Sequence, residues 1–210
     1  MAVTRDRFNQ GMTYEQFKDS MTRNRDRLES NQARVQLKPE DVAAIKNLPD
    51  PVDVLVIGAD WCYDVLTNLP VLAQLAQETG MLNLRIFERD QNPDVMAQYM
   101  NGESQSIPVF AFFDKSFNEL GHWIERPKAV TELRDRRRLD VYRENTDFGS
   151  PDAPVDQLSE ETRGRLMQAI GAMREETIPQ ANQEVVNDIR SIIEGRTRVS
   201  GNLAATAAKG

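Results

Sequence analysis

The chain has 210 residues, 26 Lys and Arg against 33 Asp and Glu, a formal net charge of −7, one cysteine and one histidine. One Cys and one His exclude a zinc finger, and a lone Cys excludes an internal disulfide and with it a disulfide-stapled scaffold. The acidic balance argues against general nucleic-acid binding, while a 40% hydrophobic share is enough for one extended domain or two small ones.

The first residues, Met1-Ala-Val-Thr-Arg-Asp-Arg, contain no apolar leader core, so no export signal is expected. The longest apolar runs, at 54–59 and 109–113, fall far short of the roughly 20 residues of a spanning helix. The expectation is a cytoplasmic protein without membrane contact.

Thr13-Tyr-Glu-Gln16 fits a capping box, and Tyr14, Phe17, Met21 and Leu28 follow at near-helical spacing. Pro39 suits the first position of a second helix ending near Leu48. Residues 1–49 therefore read as a helical extension. Residues 52–58 (VDVLVIG) form a near-continuous apolar run, as in a strand buried on both faces. Helical periodicity follows from Cys62 to Thr79, closed by Gly80.

A strand is predicted over 82–88, then a short helix from Asn92-Pro93 to about Met100, and a third strand over 109–113. After the turn at 114–116, residues 117–124 read as its hairpin partner, and Pro127 opens a helix to about Arg143. The order β-α-β-α-β-β-α makes 50–145 an α/β unit. Residues 146–195 read as a loop and a C-terminal helical extension, with stripes at Leu166, Ile170, Met173 and at Val186, Ile189, Ile193, interrupted by Pro179. The stretch 196–210 lacks apolar periodicity and is expected to be a mobile tail. The apolar stripes of the extensions call for packing on the core or for homo-oligomer formation.

Three features carry chemistry: Trp61-Cys62 after a buried strand and at a helix start, Pro70 within that helix, and Ile107-Pro108 just before a buried strand. In this order and spacing, residues 50–145 resemble the thioredoxin family. The N-terminal arm and Glu125-Arg-Pro127 further resemble a group of extended bacterial thioredoxin-like proteins. The resemblance implies a thioredoxin-like central mixed sheet flanked by helices, with N- and C-terminal helical extensions. It also implies a cis Ile107–Pro108 bond beside Cys62, Cys62 as the nucleophile, and a substrate groove formed by Trp61, Tyr63, Ile107 and Pro108.

The departures matter equally. The family's Trp-Cys-x-x-Cys motif reads Trp61-Cys62-Tyr63-Asp64-Val65 here, so the resolving cysteine is replaced by Val65. The buried acid that many family members carry six residues before the cysteine is replaced by Val56. Dithiol exchange is thereby excluded. Cys62 can act only as a monothiol, toward glutathione or a thiol-containing protein. The competing reading is a non-catalytic module that binds a protein or peptide near Pro108.

A helix N-terminus favours thiolate, whereas the flanking Asp60 and Asp64 oppose it, so a weaker acidity shift than at a dithiol site is expected. Peroxiredoxins and monothiol glutaredoxins fit less well: Ala59 stands where the former carry Thr, and Cys62-Tyr-Asp-Val replaces the latter's Cys-Gly-Phe-Ser. No Gly-rich phosphate loop, metal-ligand spacing or Ser/His/Asp set is present, so no cofactor and no metal are expected. His122 reads as structural. Arg134-Asp-Arg-Arg-Arg138 reads as a solvated helix face, and Asp60, Asp64, Glu88 and Asp90 read as surface charge.

Overall fold

The computed structural model describes residues 3–204. The N-terminal arm contains α1 (Arg5–Phe8), α2 (Tyr14–Ser20), α3 (Arg25–Ala33) and α4 (Pro39–Lys46). Thr13 and Gln16 form the reciprocal capping box at the start of α2, and Pro39 opens α4. The central unit follows as β1 (Val52–Gly58), α5 (Tyr63–Thr79), β2 (Leu82–Glu88), α6 (Pro93–Met96), β3 (Val109–Phe113), β4 (Glu119–Ile124) and α7 (Lys128–Glu144). After two 3₁₀ turns come α8 (Glu160–Glu176), α9 (Ile178–Ile193) and β5 (Val199–Gly201).

The five strands form one mixed sheet in the order β2-β1-β3-β4-β5. β1 runs parallel to β2 and antiparallel to β3, β3 is antiparallel to β4, and β4 is parallel to β5. Val54, Leu55, Val56 and Ile57 are all fully buried, which is why the middle of this strand shows no alternation of polar and apolar residues. Helix α5 packs against α3, α4, α9 and β2.

The arms share the core of the sheet. Phe8, Phe17 and Ile45 from one end, and Val185, Val186, Ile189 and Ile192 from the other, belong to the same buried cluster as the strands. A smaller cluster of Tyr142, Phe148 and Leu166 joins α7 to α8. Polar ties reinforce the apolar ones. Pro70 lacks an N–H, so the carbonyl of Leu66 loses its helical donor. Buried Asn31 of α3 donates its Nδ2 to that carbonyl at 2.7 Å. Buried Asp41 of α4 accepts from Arg190 of α9 at 2.6 Å and from Gln183 at 2.9 Å.

Three expectations are corrected. The helix expected to reach Met100 ends at Met96, where the backbone tightens into turns with the Gln98 N–H on the Val95 carbonyl at 3.1 Å and the Tyr99 N–H on the Met96 carbonyl at 3.0 Å, and beyond it stands Asn101. Its side chain donates to the Asn202 carbonyl at 2.8 Å and accepts from the Ala204 N–H at 2.6 Å. The hairpin strand starts at Glu119 rather than Phe117, because Phe117 has a left-handed backbone (φ 65°) in a turn closed on Asp114.

The third correction concerns the tail. Far from being unstructured from residue 196, it adds β5 to the sheet, with the His122 N–H donating to the Arg198 carbonyl at 2.8 Å. Gly121 and Gly201 permit this approach, since a Cβ at either would collide with the facing backbone. Residues 205–210 of the expected tail lie outside the described residues.

Candidate functional site

The site is built where β1 ends and α5 begins. Cys62 is the N-cap residue of α5 with an extended backbone, and Ile107–Pro108 is cis. Ile107 and Pro108 are buried, whereas Cys62 is half-buried. The Cys62 thiol donates to the Ile107 carbonyl across 3.5 Å, a weak sulfur hydrogen bond that requires the protonated form.

Burial is the main influence on this thiol and pushes it up from its ordinary range. The backbone N–H groups of Val65 and Asp64 oppose that rise, whereas the carboxylates of Asp64 and Glu125 add to it. The expected muted acidity therefore has a named cause, with one correction in the residues responsible. Asp60 is occupied in holding the α2–α3 connection. It accepts from the Thr22 N–H at 2.8 Å, the Thr22 hydroxyl at 3.0 Å and the Arg23 N–H at 3.2 Å. Glu125, not Asp60, joins Asp64 in opposing thiolate. Glu125 was not singled out for this role in the sequence; its left-handed φ of 70°, just after β4, is a property of the folded chain.

The residues next to Cys62 point to different surroundings. Trp61 is 43% exposed, with the Arg89 guanidinium 4.5 Å from its ring centroid. The Tyr63 ring lies among Arg27, Arg174 and Arg134, at 4.8, 5.1 and 5.7 Å. Asp64, expected at the surface, has a side chain only 13% exposed and pairs with Arg126. Burial raises the Asp64 carboxyl against the pull of Arg126 and Arg134. Cys62 and Ile107 are thus in contact, whereas Tyr63 lines a separate arginine-walled cleft.

The expected solvated face at 134–138 is also corrected. Asp135, Arg136 and Arg137 are exposed, but Arg134 and Arg138 are turned inward, four residues apart on one helix face. His122 is structural: it contacts Glu119 through Nδ1 at 2.8 Å and the edge of Tyr99. Among the described residues, no group of three or more His, Cys, Asp or Glu is arranged to hold a metal. Nor is any helix among them long and apolar enough to cross a membrane.

A cysteine capping a helix beside a cis X–Pro bond, on a β-α-β-α-β-β-α sheet, defines a thioredoxin-like protein. A family model described as thioredoxin matches residues 11–138, more than half of the chain, and the protein belongs to that family. The match reaches back through α2, α3 and α4, which the sequence reading placed outside the family unit. Among solved structures, the chain is similar to a protein of unknown function from Pseudomonas aeruginosa, with 21% identity and a TM-score of 0.66. That similarity covers 94% of this chain and 100% of the other. It is also similar to an HIV epitope-scaffold at 18% identity and a TM-score of 0.60, covering 92% of this chain and 99% of that one. At such identities the likeness concerns the fold. No curated protein matches the chain.

Proposed function

We propose that the protein is a monothiol member of the thioredoxin family whose Cys62 forms mixed disulfides slowly and holds them for long periods. The observation that carries this reading is the raised, half-buried Cys62 thiol directed at the Ile107 carbonyl, in a chain with no second cysteine. The step is an exchange with an external disulfide, either glutathione disulfide or one in a partner protein. The Cys62 thiolate attacks one sulfur, a new S–S bond forms, the old one breaks, and the released thiolate takes up the proton that Cys62 gave to solvent.

A raised pKa keeps the thiolate fraction small near neutrality, which slows attack. It also makes Cys62 a poor leaving group, which slows release. Val65 cannot resolve the adduct, so an external thiol must do so. Trp61, Ile107 and Pro108 would supply the contact surface for the partner.

The test is intact mass after incubation with glutathione disulfide, for wild type and Cys62→Ser. The expected result is a single Cys62-dependent adduct that forms faster as pH is raised and is removed by added thiol. A Cys62 that stays unmodified at alkaline pH would overturn the reading. The exposed Trp61, next to Cys62 in the chain, would then favour a non-catalytic module that binds a peptide or protein.

A further inference from the structure

A cleft of about 230 Å³ lies between the start of α5, α7 and α8, beside the cysteine but lined by different side chains. Arg126, Arg134, Arg138 and Arg174 face it, with the carboxylates of Asp64 and Asp135 in its wall and that of Glu125 against Arg126. Of these cations, Arg126 is taken up by Asp64 and by Glu125 at 2.7 Å. Arg134, with a side chain 11% exposed, stands 3.7 Å from Asp64 and donates its Nε to the Thr177 hydroxyl at 3.3 Å.

Arg138 donates to the Pro151 carbonyl at 2.8 Å, and Arg174 lies over the Tyr63 ring. Neither has a carboxylate within 4.0 Å among the described residues. The acids at the end of α8 have partners of their own: Glu175 pairs with Arg34 and with Arg27 beside the Tyr63 ring, and Glu176 with Arg137. Burial lowers the pKa of Arg134, against the pull of Tyr63 and Asp64, and the neighbouring Arg126 and Arg174 add to the lowering.

Two polar atoms here are buried without a hydrogen-bond partner, the Tyr63 hydroxyl and Asp64 Oδ1. Buried polar groups are normally satisfied, so the Tyr63 hydroxyl, an orphan in a cationic cleft, indicates a missing partner. The guanidinium groups and the Tyr63 hydroxyl need an acceptor carrying negative charge. Asp64 Oδ1 already faces the Arg134 guanidinium at 3.7 Å.

We infer that this cleft binds a small oxyanion. Its phosphate or carboxylate groups would be held by Arg134, Arg138 and Arg174 and by the Tyr63 hydroxyl. Planar guanidinium groups match phosphate and carboxylate oxygens through two parallel hydrogen bonds. With Glu125 counted beside Arg126, the cations exceed the carboxylates by one, which matches an oxyanion, and the volume accommodates a small organic anion. This site does not depend on the Cys62 thiol.

The experiment is calorimetric titration of the full chain with glycerol 3-phosphate and, separately, with malate, at constant ionic strength set by chloride. Saturable one-to-one binding of either is expected, and the arm that binds identifies phosphate or dicarboxylate chemistry. Arg174→Gln, which removes a cation without an ion-pair partner among the described residues, is expected to weaken binding at least tenfold. Tyr63→Phe is expected to weaken it severalfold while folding normally, and Cys62→Ser is expected to bind as wild type does. Absence of saturable binding in both arms would overturn the inference. So would equal affinity in folded Arg174→Gln and Tyr63→Phe.

Discussion

Cys62 and Asp64 stand two residues apart at the start of one helix, yet they face opposite electrostatic environments. The thiol is half-buried against a backbone carbonyl and stays neutral. The carboxylate is buried among guanidinium groups, in a cleft where cations outnumber acids. The family's usual chemical feature is thus the quieter of the two, and the denser charge lies around residues that the family motif leaves unspecified. A helix start does not impose one chemistry on its first turn; what packs against each side chain decides.

Removing Asp64 should break this contrast most severely. Asp64→Ala leaves Arg134 without its carboxylate and Arg126 with only Glu125. Urea unfolding is expected to show a loss of about 3 kcal/mol, the lower end for breaking a buried pair because Glu125 remains. Asn31→Ala tests the support of the same helix from the other side. The Leu66 carbonyl, freed by Pro70, would be left unsatisfied, at a cost of about 1–3 kcal/mol by the same measurement.

The ionisation of Cys62 gives a finer test. The pH profile of iodoacetamide alkylation should have its midpoint above the ordinary thiol value of about 8.5. Asp64→Asn should move that midpoint down, since the Asp64 charge contributes to the rise. A midpoint below the ordinary value would remove the distinction between the two residues.

The smallest effect concerns stability. The folded-state pKa of Cys62 is raised, so the native protein holds its proton where the unfolded chain has released it. Stability from this group is therefore fully present below the unfolded thiol pKa and is lost as pH rises through the folded value. Wild type should lose stability at alkaline pH relative to its neutral value, and Cys62→Ser should lack that component in parallel unfolding titrations.

Much of the central unit was legible in the chain. The unbroken apolar run of β1, the capping box at Thr13 and the Gly80 stop of α5 are local signals, and local physics produced them as expected. The adjacency of Cys62 and Ile107 followed from the family resemblance, because the two are 45 residues apart and no local pattern joins them. The arginine-walled cleft depends on α7 and α8 meeting the start of α5, contacts that no spacing announces. One trace was present: Arg134 and Arg138 are four residues apart, so they share a helix face, which a solvated reading of the whole charged run obscures. The last strand was hidden because three residues carry no periodicity, and its place depends on glycines in two distant segments.

That short strand has a consequence for how the protein meets other chains. β5 lies along the side of β4 and is itself only three residues long, while Met12 makes an antiparallel bridge to Ile86 on the outer side of β2. Both margins of the sheet are thereby blunted, one by a stub of strand and the other by a passing segment of the N-terminal arm. Among the described residues, each margin is thus interrupted as a template for a further strand, whether from another polypeptide or from a second copy of the chain. Such interruptions discourage edge-to-edge aggregation, because a template broken after a few residues offers a new strand little to pair with.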